Sequence, residues 1–350
     1  MYSVRKIRVI FLLLLSICVL HAQIPAGYYN NATGKKGAAL KTALYQIIRP
    51  HTVLEYYSSS TSFLKTDWNP EGYIWDMYSN YKRTYWTGMN REHSLPKSWW
   101  SSSPETTVAY SDLHNLYPSD ATANMAKSNF PLGVVTGTPS FTNGVVKVGT
   151  NSYPGYTGEV FEPANEYKGD FARDYMYIVT CYEEYANNWR STGTTSMLLN
   201  GSTYPVFRPY AINLLLEWSR NDPVSEKEIV RNNEVYKLQG NRNPYIDFPA
   251  LSEYVWGKYV NEKWEGDESV PDIENNFYLN YNRENNTLFV KVSKPQSAAY
   301  YIYSVTGVLM LHSDTIAGDQ MIDVSALGKG IYIIKLYTGT KRISAKFVIG

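Results

Sequence analysis

After Trp264 the chain changes character, and that change decides how many bodies it folds into. Glu265-Gly266-Asp267-Glu268-Ser269 is charged and contains a glycine, and beyond it come short apolar runs separated by turn residues such as Asn285-Asn286, Thr306-Gly307 and Thr338-Gly339. Strands are expected at 277–281, 288–293, 299–304, 308–312, 320–324, 330–337 and 341–348. So many short strands can bury their apolar faces only against one another, which predicts a small all-β, immunoglobulin-like sandwich over 277–350. A chain of 350 residues is longer than one typical domain, so a second body at 23–263 and a linker at 264–276 are expected.

The larger body mixes periods. Leu40, Ala43, Leu44, Ile47 and Ile48 repeat at helical spacing before Pro50, predicting a helix over 35–48. The alternation at 73–78 suggests a strand, and the Gly- and Thr-rich stretch 134–160 suggests hairpins. Further helices are expected at 119–128, 168–182 and 211–218. Another follows Asp222-Pro223-Val224, bracketed by a Ser225/Glu228 capping box and a Gly240 cap. The fold class is therefore α+β: a mixed helical and β body followed by a sandwich.

The N-terminus fixes the compartment. Arg5, Lys6 and Arg8 precede an apolar run at 9–20 that is too short to span a bilayer, and small Ala22 follows. This is a secretory signal peptide over 1–22, cleaved before Gln23. A lipoprotein reading through Cys18 ranks second, because Ile17 is a poor residue before a modified cysteine. Cleavage leaves Cys181 as the sole cysteine, so no intramolecular disulfide forms; its neighbours at 177–182 suggest a buried helix position. A formal charge of +1 excludes a broadly basic surface, so any nucleic-acid binding must come from a local cleft and a metal ion. The 32 tyrosines suit wet binding faces, although most can serve as packing.

Chemistry concentrates between residues 91 and 129. Arg91-Glu92-His93-Ser94-Leu95-Pro96 opens this stretch, Asp112-Leu113-His114-Asn115-Leu116-Tyr117-Pro118 continues it, and Asn124 and Asn129 follow. Hydrolysis of a phosphodiester needs a base for the attacking water and neutralisation of charge on phosphate and leaving oxygen. Histidine suits the first task, and a carboxylate with a neutral oxygen ligand suits a hard divalent cation for the second. Glu92, His93 and Asn124 offer that set. Adjacent residues on a regular strand point to opposite faces, so Glu92 and His93 must sit at a bend or strand end, as Pro96 makes plausible. Each residue also has a plainer reading. His93 can be a surface histidine by a proline turn, Glu92 a partner of Arg91, Asn124 a solvated helix residue, and Asn129 a helix cap. His114 suits a structural role better than a ligand role. No His-Glu-x-x-His occurs, which disfavours a zinc peptidase.

The segments 91–98 and 112–119, with the Asn124 to Asn129 helix, resemble the bacterial endonuclease I family of secreted, non-specific nucleases. Gly27-Tyr28-Tyr29, 168–173, 222–225 and 239–247 add to the likeness, which covers about 24–260. The resemblance implies a ββα-metal active site, with His93 as general base and Glu92 and Asn124 holding one divalent cation. Mg²⁺ is the expected ion, and Mn²⁺ and Ca²⁺ are alternatives. It also implies that Asn115 braces the His93 loop through backbone hydrogen bonds. Arg91, His114 and Asn129 are candidate substrate contacts. Arg173 and Arg242 are offered as stand-ins for a phosphate-binding arginine of some relatives, which has no obvious counterpart at 98–110. The expected substrates are DNA and also RNA, cleaved with little sequence preference by a monomer.

The tail, with Tyr301-Ile302-Tyr303-Ser304-Val305-Thr306-Gly307 and Gly330-Ile331-Tyr332-Ile333-Ile334-Lys335-Leu336, resembles the C-terminal sorting domain of type IX secretion cargo. It implies export through the periplasm to the exterior or outer cell surface, and the type IX machinery as partner. An ordinary immunoglobulin-like or carbohydrate-binding sandwich is the competing reading of the tail. For the whole chain, the alternative function is a non-catalytic cell-surface protein that binds glycan or nucleic acid.

Overall fold

The computed structural model describes residues 24–100, 103–189, 198–266, 277–282, 286–292, 298–304, 307–316, 320–338 and 341–349. The expected signal peptide and most of the expected linker lie outside them. The chain divides into two units, Met1–Gly266 and Asp267–Gly350.

The first unit begins with α1 (Gly37–Ile48), which buries Leu40, Ala43, Leu44 and Ile48 as its spacing demands. Then come α2 (Ser59–Thr66), β1 (Trp68–Asn69) and β2 (Tyr73–Ile74). The strand expected over 73–78 is only two residues long. Asp76 ends it, because its carboxylate accepts from the Tyr78 backbone at 2.8 Å and from the Ser79 hydroxyl at 2.6 Å, turning the chain back. Next are β3 (Met89–His93), β4 (Leu116–Asp120) and α3 (Ala121–Lys127), then the antiparallel sheet β5 (Phe141–Thr142), β6 (Lys147–Thr150) and β7 (Glu159–Glu162).

The helical part of this unit is centred on α4 (Lys168–Cys181), which is buried at every position from Gly169 to Cys181. It packs against α1 and against α5 (Pro209–Asn221). Gly169 lets α4 start hard against the loop at Asp222: a Cβ there would collide with the Asp222 carbonyl oxygen. Near the other end, Cys181 is fully buried, its Sγ 3.7 Å from the Ile48 carbonyl oxygen. α6 (Glu226–Gln239) has both halves of the Ser225/Glu228 capping box and ends at Gly240 in the left-handed conformation. The short α7 (Pro244–Asp247) and α8 (Leu251–Val255) complete the unit.

The second unit contains β8 (Phe277–Asn282), β9 (Thr287–Val292), β10 (Ala298–Ser304), β11 (Leu309–Ile316), β12 (Gln320–Asp323), β13 (Gly330–Thr338) and β14 (Lys341–Ile349). They form two antiparallel sheets, ordered β12-β9-β8 and β11-β10-β13-β14. Both sheets contribute to one buried core, Leu288, Val290 and Ile322 from the first and Ile302, Ile334, Leu336 and Phe347 from the second.

Candidate active site

β3 and β4 pair antiparallel, with Glu92 opposite Tyr117 and His93 opposite Leu116, and α3 follows β4 without a loop. Asp120 makes that junction. Its carboxylate accepts from the Thr122 and Ala123 backbone N–H groups at 3.0 and 2.9 Å, capping α3. The helix is shorter than the expected 119–128. Ser119 stays in β4 and Asp120 is the cap, while at the other end Ser128 leaves helical geometry at φ 49°.

Beside this unit opens a cleft of about 660 Å³, lined by Arg91, Glu92, His93, Asn124 and Asn129, with Tyr56, Tyr57, Trp86 and Lys97 among its other walls. Glu92 and His93 line the same space although they are neighbours on a strand. His93 is the last residue of β3, and the chain then turns through Pro96 into a 3₁₀ turn at Lys97–Trp99.

His93 is buried, and its Nε2 lies 2.8 Å from the Tyr110 carbonyl oxygen. A carbonyl can only accept, so Nε2 carries the proton and Nδ1 keeps a lone pair. The ring is flanked by Tyr110 at 5.1 Å, by a parallel Tyr56 at 5.9 Å and by the edge of Trp100 at 5.4 Å. Burial lowers the imidazole pKa to about 3; the Tyr110 hydrogen bond opposes this, and Lys97 and Lys127 reinforce it. His93 is therefore neutral at physiological pH.

Glu92 is buried against Lys127, whose ammonium lies 2.6 Å from Oε1. Burial leaves the carboxyl pKa raised, and Lys127 and then Lys97 offset it only in part. Asn124, half-buried on α3, donates from Nδ2 to the Ser119 hydroxyl at 3.3 Å, a bond that does not use its carbonyl oxygen. Asn115 holds the turn after His93. Its Oδ1 accepts from the Leu95 N–H at 2.8 Å, its Nδ2 donates to the Leu95 carbonyl at 3.3 Å, and its own carbonyl accepts from the Ser94 N–H at 2.9 Å.

Arg91 is fixed at the cleft wall by Ser59, Ser60 and the Tyr57 carbonyl. Asn129 is exposed at the cleft. It does not cap the helix, since Ser128 occupies the cap position and its N–H reaches the Asn124 carbonyl at 3.0 Å. Three other candidate substrate contacts lie outside the cleft lining. His114 is buried beside Tyr177 with Nε2 3.2 Å from the Asn241 carbonyl, away from the cleft lining. Arg173 is wholly buried and clasps Glu228 through two nitrogens at 2.6 and 2.9 Å. Arg242 is buried and grips Asp247 at 2.7 Å through both Nε and Nη2. A guanidinium already paired in the interior cannot meet a phosphate at the surface.

The sequence motifs give no role to Lys127 or Lys97 and do not say which aromatic residues wall the cleft. Lys127 was findable, because it falls three residues after Asn124 and so shares that helix face. Tyr110, by contrast, acts through its backbone carbonyl, which no side-chain motif reports.

Among the described residues, no group of three or more His, Cys, Asp or Glu side chains is placed to hold a metal ion. The donors at hand are one carboxylate and one amide oxygen beside open space, a sparse all-oxygen set that suits a cation keeping most of its water, as Mg²⁺ does.

Residues 36–250 match the family described as Endonuclease I, and residues 282–350 match the secretion system C-terminal sorting domain. The extracellular ribonuclease of Bacillus amyloliquefaciens is 33% identical over 240 residues, covering 65% of this chain and 78% of that protein. The extracellular ribonuclease of Bacillus subtilis (strain 168) is 33% identical over 247 residues with the same coverages. Among solved structures, a DUF3244 family protein with an immunoglobulin-like β-sandwich from Bacteroides vulgatus covers 23% of this chain and 88% of its own. Its identity to this chain is 12% and the TM-score 0.21. A sorting tail behind a nuclease domain belongs to an exported protein, secreted or held at the cell surface. From its matched domain and its relatives, the chain belongs to the endonuclease I family and is a nuclease.

Proposed function

We propose that the cleft hydrolyses phosphodiester bonds of DNA and RNA, with β3, β4 and α3 acting as a ββα-metal unit and His93 as general base. The observation that carries this reading is the state of His93. The Tyr110 carbonyl fixes the proton on Nε2, which leaves Nδ1 with its lone pair in a cleft shared with Glu92 and Asn124.

Nδ1 takes the proton of the attacking water, while Tyr110 and the neighbouring rings hold the imidazole plane. Asn115 positions His93 through the Leu95 and Ser94 backbone. Glu92 and Asn124 would hold one divalent cation, Mg²⁺ before Mn²⁺ or Ca²⁺, with Lys127 opposing the effect of burial on the Glu92 carboxyl. When bound, that cation supplies charge neutralisation at the phosphate and the departing 3′ oxygen. Arg91 and Asn129, which line the cleft, would contact the phosphate backbone. RNA is included because the relatives are extracellular ribonucleases. Low sequence preference follows from a cleft walled by aromatic faces and cations, which contact any base. The tail, read as an immunoglobulin-like sandwich, would be the address for the type IX machinery, and the nuclease acts as a monomer.

The test uses the chain from Gln23 onward with supercoiled plasmid and with RNA, with Mg²⁺ or EDTA, beside His93→Ala. Cleavage should need the cation and fall by ~10²–10⁴ in the variant, the usual cost of losing a general base. Wild-type activity in a folded His93→Ala protein refutes the mechanism.

A further inference from the structure

We infer that Tyr57 is a stacking platform for one nucleobase of a single-stranded substrate and that Arg91 grips the adjoining phosphate. The inference rests on the nuclease reading of the cleft and adds to it a preference for unpaired strands.

Tyr57 lines the cleft and is nonetheless 78% exposed. One exposed tyrosine means little by itself, but its surroundings are built. The ring stands edge-on to Tyr56 at 5.3 Å, and Tyr56 lies parallel to His93 at 5.9 Å. The platform is thus two ring steps from the basic nitrogen, within reach of a base next to the scissile phosphate.

Arg91 supplies the second, independent observation. Its guanidinium carbon lies 5.4, 5.7 and 5.2 Å from the Tyr56, Tyr57 and Trp86 ring centroids. Nε donates to Ser59 at 2.7 Å, and Nη2 donates to the Tyr57 carbonyl at 2.7 Å and to Ser60 at 3.2 Å. All these acceptors are neutral, and among the described residues no carboxylate pairs with Arg91. A fixed, uncompensated guanidinium in a cleft wall is a site for an anion, and phosphate suits its planar donors. An aromatic face beside a phosphate-binding arginine is how single strands are held without sequence preference. Within a duplex the bases cover one another's faces, so the platform gains only from an unpaired base.

Two measurements test this. In the first, kcat/KM is compared on a single-stranded oligonucleotide and on duplex of the same sequence. Tyr57→Ala should lower the single-strand to duplex ratio by roughly tenfold, the loss expected for one stacked base. Tyr57→Phe and Tyr57→Trp, which keep a face, should restore it. In the second, binding of a fluorescein-labelled oligothymidylate to His93→Ala should weaken by a similar factor when Tyr57→Ala is added, with Tyr57→Phe as control. The same oligomer without bases should bind both proteins alike. An unchanged ratio in Tyr57→Ala, or equal loss on the baseless oligomer, overturns the inference. A chain that cleaves nothing yet still binds in a Tyr57-dependent way would sink the nuclease mechanism and leave this site standing.

Discussion

Lys127 on α3 reaches 2.6 Å from the Glu92 carboxylate on β3, with its ammonium side chain wholly buried. This pair ties the helix that bears Asn124 to the strand that bears His93. It also places a fixed positive charge beside the carboxylate proposed to receive a cation.

Removing one member of a buried pair strands the other. Lys127→Met should cost about 3–5 kcal/mol, or a Tm loss of very roughly 6–20 °C for a body of this size. If Glu92 holds the cation, Mg²⁺ should return more of that loss in the variant than it adds to the wild type, because Lys127 no longer competes. Thermal melts with and without Mg²⁺ decide the point; equal Mg²⁺ shifts in both proteins count against Glu92 as a ligand.

Asn115 does not itself line the cleft, and its effect should be indirect. Asn115→Ala leaves the Leu95 N–H and carbonyl in the interior without their partner, a cost of about 1–3 kcal/mol. Displacement of His93 should lower kcat by up to ~10²-fold while KM changes less. A variant with lowered Tm and normal kcat would show that the brace stabilises without positioning.

Since burial holds the His93 pKa at about 3, its basic form persists well below the usual histidine range. The profile of kcat/KM against pH in the free enzyme should therefore lack an acid limb near pH 6.5. The stability sign follows from the same shift. The unfolded chain gains a proton on His93 below about pH 6.5 while the folded chain does not, so this residue's contribution is present above that pH and lost as pH falls toward 3. A kinetic limb at pH 6–7 that disappears in His93→Gln would contradict the buried, neutral setting.

Asp174 on α4 is buried beside the Ser94 hydroxyl. Burial pushes its carboxyl pKa well above the usual range. The folded chain thus keeps a proton that the unfolded chain releases above about pH 4, and stability is lost as pH rises from there toward the folded value. Asp174→Asn abolishes this titration, so its Tm relative to the wild type should be higher at pH 8 than at pH 4.5. A difference that does not vary with pH would mean that Asp174 is ionised in the fold.

What could be read in the sequence was what periodicity and motif spacing encode. α1, the Ser225/Glu228 capping box and the Gly240 cap follow from local pattern, because each is satisfied within one helix and its flanks. Arg173 and Arg242 could not be judged that way. Their carboxylate partners Glu228 and Asp247 come from other elements or from the next turn of chain, and only packing shows that both guanidinia are spent in the interior. The 73–78 segment alternates like a strand, but side-chain bonds of Asp76 to its own neighbours outcompete the ladder. At the cleft, Glu92, His93 and Asn124 were legible as types, whereas the atom of His93 left basic depends on a backbone carbonyl 17 residues away.

The walled-in thiol of Cys181 has a consequence for a protein that works outside the cell. Burial pushes its pKa well up, so the folded chain presents no thiolate to oxidants or to a second molecule. Cross-linking through this atom requires α4 to leave its place between α1 and α5. A disulfide-joined dimer, or a blocked cysteine, would therefore be a tally of molecules that have opened, accumulating with time in an oxidising medium while the folded population stays unmarked.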